Sequence, residues 1–503
     1  MLQIRVTDKK VPEALVVAVA DDPNRPEVLS ELAHRAGIDA ANLQQDFSAD
    51  WKEMTVLYDG GGSARRLYLV GLGKKTDFLP VQNAFRLFCH RYKSKLPAKI
   101  GVDLRRWPAH QVAFMAEAIA NGILLGCYDL GLYRQKDDKA RQQEFGREKS
   151  SLEMLVATEH IADTRAAVAK AEAIAEAQLC VFHLMNSAGN YKSPASLATT
   201  AAQKVHPLGI NLSVMDKAAL EKAGLHALMA VGQGSPQPPV LITLEYHPGT
   251  RKEAVPCIGL VGKGITFDTG GISIKPSANM HYMKSDLGGA AAVLGTFMAV
   301  ARLQLPVRLV GILPAAENMI DGLALKPGDV IQSYAGKTIE VTDTDAEGRL
   351  ILADGLSWLV RHYPCDAVID LATLTGSIIR AIGTHAAGLF AQNDALALQL
   401  TQAGTRCGER LWRMPLWEEY GTDLKSDVAD LRNFTGKPMA ESISAAKFLE
   451  HFTDAHPAWA HIDIAGMAFG DSDFSSSKSA TGYGVRLLTE YISDLCRSAG
   501  STS

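Results

Sequence analysis

The sequence predicts a two-domain α/β protein: a smaller N-terminal α/β domain, then a larger C-terminal domain with a mostly parallel sheet covered by helices. Three observations predict it. At 503 residues the chain is long for a single domain. Short apolar runs alternate with amphipathic stretches, the pattern of strands alternating with helices. From about residue 190 onward the apolar runs read as buried strands with helix-like runs between them, which argues for parallel pairing with both faces of the sheet covered.

Residues 1–160 make up the expected first domain. ALVVAVA, MTVLYDG and RLYLVGLG read as its strands, and VQNAFRLFCHRYKSKL as an amphipathic helix. The GLG at Gly71–Gly73 follows a strand but lacks the rest of a dinucleotide fingerprint, so it reads as a strand-end turn and not a phosphate loop. RQKDDKARQQEFGREK, Arg134 to Lys149, is dense in charge and reads as a solvated surface loop. After the strand-like LEMLVAT, the alanine-rich DTRAAVAKAEAIAEAQLCVFHLMN has high helix propensity and a length of about six turns. It is the expected interdomain helix, 161–187, and the Gly, Asn and Pro of NSAGNYKSP break it. The second domain, 188–503, has PVLITLEYH, VPCIGLVGKG, VRLVGILPAAEN and CDAVIDLATLTG as buried strands. GGAAAVLGTFMAVARL and RLILADGLSWLVRHY read as helices between them. Functional sites in such folds gather at the carboxyl ends of strands.

Composition narrows the function classes. Apolar content of 47% and charged content of 21% describe a globular chain with a large core. A net charge of -4 provides no basic footprint, so nucleic acid is not an expected partner. Seven cysteines are scattered singly with no CxxC pair, a pattern that suits a reducing compartment. The start MLQIRVTDKK lacks the apolar core of a signal peptide, and no apolar run reaches membrane-spanning length. A cytoplasmic protein without membrane contact is expected.

The chemistry concentrates in three stretches. In VGKGITFDTGGISIK, Lys263 sits between Gly262 and Gly264, where a tight backbone turn is expected; Asp268, Gly270, Gly271 and Lys275 follow. Each lysine alone would be read as a surface residue, but a surface lysine does not need flanking glycines. In MKSDLGGAAAV, Asp286 precedes a small-residue helix and reads locally as its N-cap. In VTDTDAEGRLILADGL, acids and an arginine fall on every second residue. If KTIEVTDTD continues as a strand, Asp343, Asp345, Glu347 and Arg349 share one face. Carboxylates so placed repel each other, and a divalent cation with hard oxygen ligands resolves the repulsion. DTDAEGRLILAD also imitates a calcium loop. Against calcium stand the strand-like element before it, Asp354 in place of glutamate at the last position, and the lack of a second loop.

Taken together, Asp268, Asp286, Asp345 and Glu347 offer enough carboxylates for two metals if some bridge. Lys263 can join only as a neutral amine. Its ordinary pKa of about 10.4 would be depressed by adjacent dications. Lys275 and Arg349 would supply positive charge where an oxyanion develops. The residue types describe metal-assisted hydrolysis of a carbonyl compound.

These stretches, with ENMIDGLALKPGD and TDAEGRL, closely resemble the leucyl aminopeptidase family, the cytosol aminopeptidases. The resemblance runs through NSAGNYKSPASLA upstream and through ATLTGS, HIDIAG and ATGYGVRLL downstream. It covers nearly all of the chain from about 180 to 495; the first 160 residues resemble the family only in size and α/β character.

The resemblance implies an enzyme that removes amino-terminal residues from peptides with a two-metal centre (Zn or Mn, with Mg or Co possible) in its C-terminal domain. Lys263, Asp268, Asp286 and Glu347 would hold one metal; Asp268, Asp345 and Glu347 the other. Lys275 would polarise the scissile carbonyl, and Arg349 would hold a bicarbonate ion as general base towards the attacking water. The substrate amine would bind near Asp286, with Thr373, Leu374 and Gly376 along its backbone. Met283, Ala465 and Ala468 would wall the first side-chain pocket. The resemblance also implies a homohexamer and apolar Leu- or Met-type amino-terminal residues.

This chain departs from the family pattern in two places. The family usually reads Asn where it has Asp343, and often Met where it has Ala468, leaving more room for Met, Phe or Leu side chains. Two other readings compete. An accessory role on DNA, found in some bacterial relatives, needs a basic groove that the near-neutral charge does not provide. A binding protein that keeps the fold without catalysis is opposed by the full ligand set with Lys275 and Arg349.

Overall fold

The computed structural model describes residues 2–9, 12–58, 66–135, 144–147, 149–248 and 255–500; the middle of the charged Arg134–Lys149 segment lies outside them. Two compact units emerge, Met1–Ala175 and Glu176–Ser503, and the division falls inside a helix spanning Ile161–Asn186.

The first unit is a six-stranded sheet. Its strands are β1 (Gln3–Thr7), β2 (Ala14–Ala20), β3 (Met54–Tyr58), β4 (Arg66–Gly73), β5 (Lys99–Asp103) and β6 (Ser151–Leu155). They lie in the order β1-β6-β5-β2-β4-β3, all parallel except β3 against β4. ALVVAVA becomes β2, buried along its whole length, as an apolar run flanked by strands on both sides should be. Gly73 ends β4 with φ +57°, and its N–H donates to Ala49 O at 2.8 Å, the geometry of a strand-end turn.

The second unit is built on a nine-stranded sheet. Its members are β7 (Asn211–Met215), β8 (Val240–Tyr246), β9 (Cys257–Gly262), β10 (Gly264–Asp268), β11 (Arg308–Asn318), β14 (Ala367–Ala372), β15 (Ala387–Ala391), β16 (Leu411–Arg413) and β18 (Trp459–Asp463). The order is β16-β15-β18-β14-β9-β11-β8-β7, with β10 beside β11. The centre, β18-β14-β9-β11, is parallel, and antiparallel pairs occur towards both edges. Short strands β12 (Val330–Gln332), β13 (Thr338–Glu340) and β17 (Leu431–Arg432) form a separate three-stranded sheet. Helices Gly288–Arg302 and Glu347–His362 cover the central strands with apolar faces, burying Val293, Phe297, Leu350, Ala353 and Leu356.

Four of the seven cysteines approach in pairs that their spacing did not reveal, Cys89–Cys127 with sulfurs 3.5 Å apart and Cys257–Cys365 at 3.7 Å. All seven are free thiols.

Candidate active site

The central parallel strands end where the chemistry-bearing residues begin. Lys263 occupies the step between β9 and β10, and Asp268 is the last residue of β10. The glycines beside Lys263 serve close packing and not the tight turn expected of them. A Cβ on Gly262 would lie 2.6 Å from Ala290 Cα, and one on Gly264 2.7 Å from Pro314 O. Lys263 is buried, so the surface reading fails. Its Nζ lies 2.8 Å from both Asp286 Oδ2 and Glu347 Oε1 and donates to Thr373 O at 2.9 Å. Gly348 allows this approach, because a Cβ there would sit 2.7 Å from Lys263 Nζ. After Asp268 the chain turns back through Gly270 (φ +88°) and Gly271 (φ +67°), a left-handed pair that a side chain would strain. The turn returns Lys275 to the acids, with Nζ 2.8 Å from Asp268 Oδ2 and also paired with Asp345 Oδ1.

Asp286 is not a helix N-cap. The following helix begins at Gly288 with Leu287 as its cap residue. The Asp286 side chain turns inward, where its Oδ1 accepts from Thr373 Oγ1 at 2.8 Å.

The extended strand expected through Asp343, Asp345, Glu347 and Arg349 does not form. Strand β13 stops at Glu340, a turn follows, and Glu347 opens a helix. The physical cause is capture of the backbone by side chains, one local and one distant in sequence. Asp345 N donates to Asp343 Oδ1 at 2.8 Å, an Asx-type turn. Asn433 Oδ1 accepts from Thr342 N at 2.8 Å, and Asn433 Nδ2 donates to Asp343 O at 2.6 Å. Residues two apart on a helix face different ways. Glu347 therefore points to Lys263, while Arg349 NH1 donates to Asn433 O at 2.7 Å. The calcium-loop imitation fails on Asp354. It is fully buried and accepts from Leu228 N at 2.9 Å and Tyr334 N at 2.8 Å, so it holds backbone instead of facing the other acids.

One oxygen from each of Asp268, Asp286 and Glu347 falls in a group whose members all lie within 4.8 Å of one another. Asp345 joins them through Lys275. Burial pushes the Asp286 carboxyl up to about 8 and the Asp345 carboxyl up to about 7, and it raises Glu347 as well. Burial pulls Lys263 and Lys275 the other way, but the surrounding carboxylates outweigh it and hold both above the ordinary lysine value. Four acids crowded around two ammonium groups cannot all ionise without cost, and Glu347 Oε2 is buried with no hydrogen-bond partner among the described residues. Residues of this kind fit divalent metal ions bound by hard oxygen ligands.

Of the residues expected to bind substrate, Thr373 meets the cluster directly through its hydroxyl on Asp286. Thr373 and Leu374 follow β14 and are half-buried, Gly376 is exposed at a helix start, and Met283 and Ala465 are half-buried. Ala468 is buried at 2% exposure.

Three supporting residues had no role in the sequence reading. Asn318 Nδ2 donates to Asp268 Oδ1 at 2.9 Å and to Thr344 O at 3.1 Å. Asp463 accepts from Leu374 N at 3.1 Å, Thr375 Oγ1 at 2.7 Å and Ala465 N at 3.1 Å, tying together the turns after β14 and β18. Asn433 is the third. Asn318 and Asp463 lie in ENMIDGL and HIDIAG, so the motifs were visible while their function as struts was not.

A buried acidic cluster with two lysines at the ends of parallel strands is the arrangement of a metal-dependent hydrolase. Comparison with known proteins narrows the class. Residues 180–489 match the catalytic domain of the cytosol aminopeptidase family, and residues 16–137 match that family's N-terminal domain, so the likeness extends beyond the size and character expected for the first domain. A probable cytosol aminopeptidase of Chloroherpeton thalassium is 41% identical, covering 98% of this chain and 99% of that protein. A second, from a Geobacter species, is 43% identical over 85% of this chain and 86% of its own. Among solved structures, a mutant of tomato leucine aminopeptidase is similar with TM-score 0.85 and 32% identity, covering 98% of this chain and 97% of that one. The bottromycin maturation enzyme BotP in complex with Mn is similar with TM-score 0.82 and 33% identity, covering 97% of this chain and 100% of that one. The chain belongs to the cytosol aminopeptidase family. It is a peptidase hydrolase, a metal-dependent aminopeptidase.

Proposed function

We propose that the enzyme releases apolar Leu- or Met-type amino-terminal residues from peptides, using two divalent ions. The observation that carries this reading is the convergence of Asp268, Asp286 and Glu347 within 4.8 Å, with Glu347 Oε2 left unpartnered. Lys263, Asp268, Asp286 and Glu347 would hold one ion, and Asp268, Asp345 and Glu347 the other. When bound, the ions would act as Lewis acids towards the scissile carbonyl and the attacking water. Zn and Mn are the leading identities, with Mg and Co also compatible with oxygen-rich ligands.

The chain's own groups supply the rest. Lys263 would give up its proton on metal binding and serve as a neutral amine. Lys275, whose side chain is 21% exposed, would donate to the carbonyl oxygen as negative charge develops there. Arg349 is buried, with NH1 anchored on Asn433 O and Nε free of partners among the described residues. That spare donor suits a bicarbonate ion that takes the proton of the attacking water. Asp286 and Thr373 would receive the substrate's free amine and first backbone atoms. The family resemblance extends the reading to a homohexamer, and the cytosol in its relatives' names to work in the cytoplasm.

The test compares leucyl and methionyl amides with their acetylated forms, with metal content measured in parallel. Hydrolysis of the free amides alone is expected. Equal rates on blocked and free substrates would sink the exopeptidase reading.

A further inference from the structure

Lys192, in the NSAGNYKSP stretch that the mechanism leaves unused, is a buried cation at 4% exposure. Its Nζ donates to two backbone carbonyls, Leu184 O at 2.8 Å and Lys284 O at 2.5 Å. Burial without a carboxylate to offset it drags its pKa down to about 7. Taking an ammonium out of water with only carbonyl dipoles in return is costly, and the two carbonyls it holds belong to separate segments. Leu184 directly precedes Met185 near the end of the Ile161–Asn186 helix. Lys284 directly follows Met283 in the Met280–Ser285 turn that leads to Asp286. One side chain thus ties together the two segments that carry these methionines.

The Met185 side chain reaches the place where the pocket residues meet. A Cβ built on Gly288 would lie 3.0 Å from Thr373 Cγ2, 3.2 Å from Met185 Cε and 3.3 Å from Ala468 Cβ, so three apolar groups close on one point. Thr373 turns its hydroxyl to Asp286 Oδ1 at 2.8 Å, and its methyl belongs to this apolar group. Met185 and Ala468 are buried at 1% and 2% exposure, while Thr373 is half-buried.

We infer that Met185 is the residue that limits the depth of the first side-chain pocket, and that Lys192 is the positioning residue that holds Met185 and Met283 at their spacing. The inference rests on the proposed aminopeptidase reading and deepens it, because it names the residue that sets the preference for side chains of Leu or Met size. A thioether is a polarisable, adaptable wall that accepts such chains, and its bulk at that depth is what would disfavour an indole. Each methylene of lost or gained fit in an apolar pocket is worth about 10- to 200-fold in discrimination.

The experiment measures kcat/KM for leucyl and tryptophanyl amides, and dissociation constants for free leucine and tryptophan by calorimetry. The proteins are wild type, Met185→Ala, Met185→Leu and Lys192→Met, each with its metal content. Met185→Ala is expected to raise the tryptophan-to-leucine ratio about tenfold or more, and Met185→Leu, of nearly the same volume, to leave it unchanged. Lys192→Met should move the ratio in the same direction with metal content unchanged, which a merely structural loss would not do. If Met185→Ala fails to fold, Met185→Val makes a smaller cut and should move the ratio the same way. A ratio within about twofold of wild type in a folded, metal-loaded Met185 truncation overturns the inference while leaving the aminopeptidase reading intact. A wild-type enzyme inactive on every free amide overturns both.

Discussion

Lys263 and Glu347 meet at 2.8 Å in a buried pair, with the second Glu347 oxygen unpartnered. A lysine on one oxygen and nothing on the other leaves the carboxylate half satisfied, and an unsatisfied buried charge is costly. A metal ion would complete it. Glu347→Gln replaces the bridging charge with a neutral amide, so it is expected to lose metal and activity together. Metal content after dialysis, measured beside turnover, checks this. A fully loaded Glu347→Gln would remove Glu347 from the ligand set.

Lys275 should behave differently. It pairs with Asp268 and Asp345 but is the more exposed of the two lysines. Lys275→Ala is therefore expected to retain metal and to lose turnover by about 10²-fold, the scale for deleting an oxyanion donor. Metal loss in proportion to activity loss would mean that the lysine supports the ligands and not the reaction.

Much of this site was legible because its residues are chemically unusual where they stand. Lys263 among glycines and the acids at Asp345 and Glu347 could be singled out from the chain alone, and the buried strands from apolar runs such as that of β2. Their geometry could not. The stretch after β13 has strand periodicity, but the Asp343 turn and Asn433, far along the chain, capture the backbone there and end the strand. Asp286 was obscured for a similar reason. Its position before a helix imitates a cap, and its true partners, Lys263 and Thr373, lie on other elements. Long-range side-chain capture leaves no local pattern to read.

Glu409 provides a test of burial away from the centre. Its Oε2 accepts from Gly484 N at 3.0 Å and Leu487 N at 2.8 Å, at the start of the Val485–Gly500 helix. Burial outweighs those bonds and raises its carboxyl to about 7 from an ordinary 4.5. Between those values the unfolded chain has released a proton that the folded one keeps. The group's stabilisation is therefore complete below about pH 4.5 and is lost as pH rises to about 7. Glu409→Gln keeps an acceptor oxygen but cannot ionise. Relative to wild type, the variant should gain stability as pH rises through that window, by about 1.4 kcal/mol for each pH unit between the unfolded and folded values. Thermal melts across the window decide it, and parallel curves for the two proteins would contradict the raised value.

Asp343 is the one acid of its stretch that the family resemblance leaves unexplained. A negative charge there could strengthen metal binding, or its oxygen could serve only as an acceptor. The structure shows the acceptor at work: Asp343 Oδ1 takes the Asp345 N–H at 2.8 Å and so orients the turn that presents Asp345. Its backbone is held independently by Asn433. No lysine or arginine forms an ion pair with its carboxylate among the described residues, unlike Asp345, which pairs with Lys275. An asparagine oxygen can accept the same hydrogen bond. Asp343→Asn is accordingly expected to leave metal affinity and the pH profile of turnover within about twofold of wild type. Asp343→Ala, which removes the acceptor, should free the Asp345 turn and weaken metal binding at a cost of about 1 kcal/mol, the usual net value of such a bond. Metal titration of both variants separates the two roles. Weaker binding in Asp343→Asn, with a lower apparent pKa for turnover, would show that the charge itself matters.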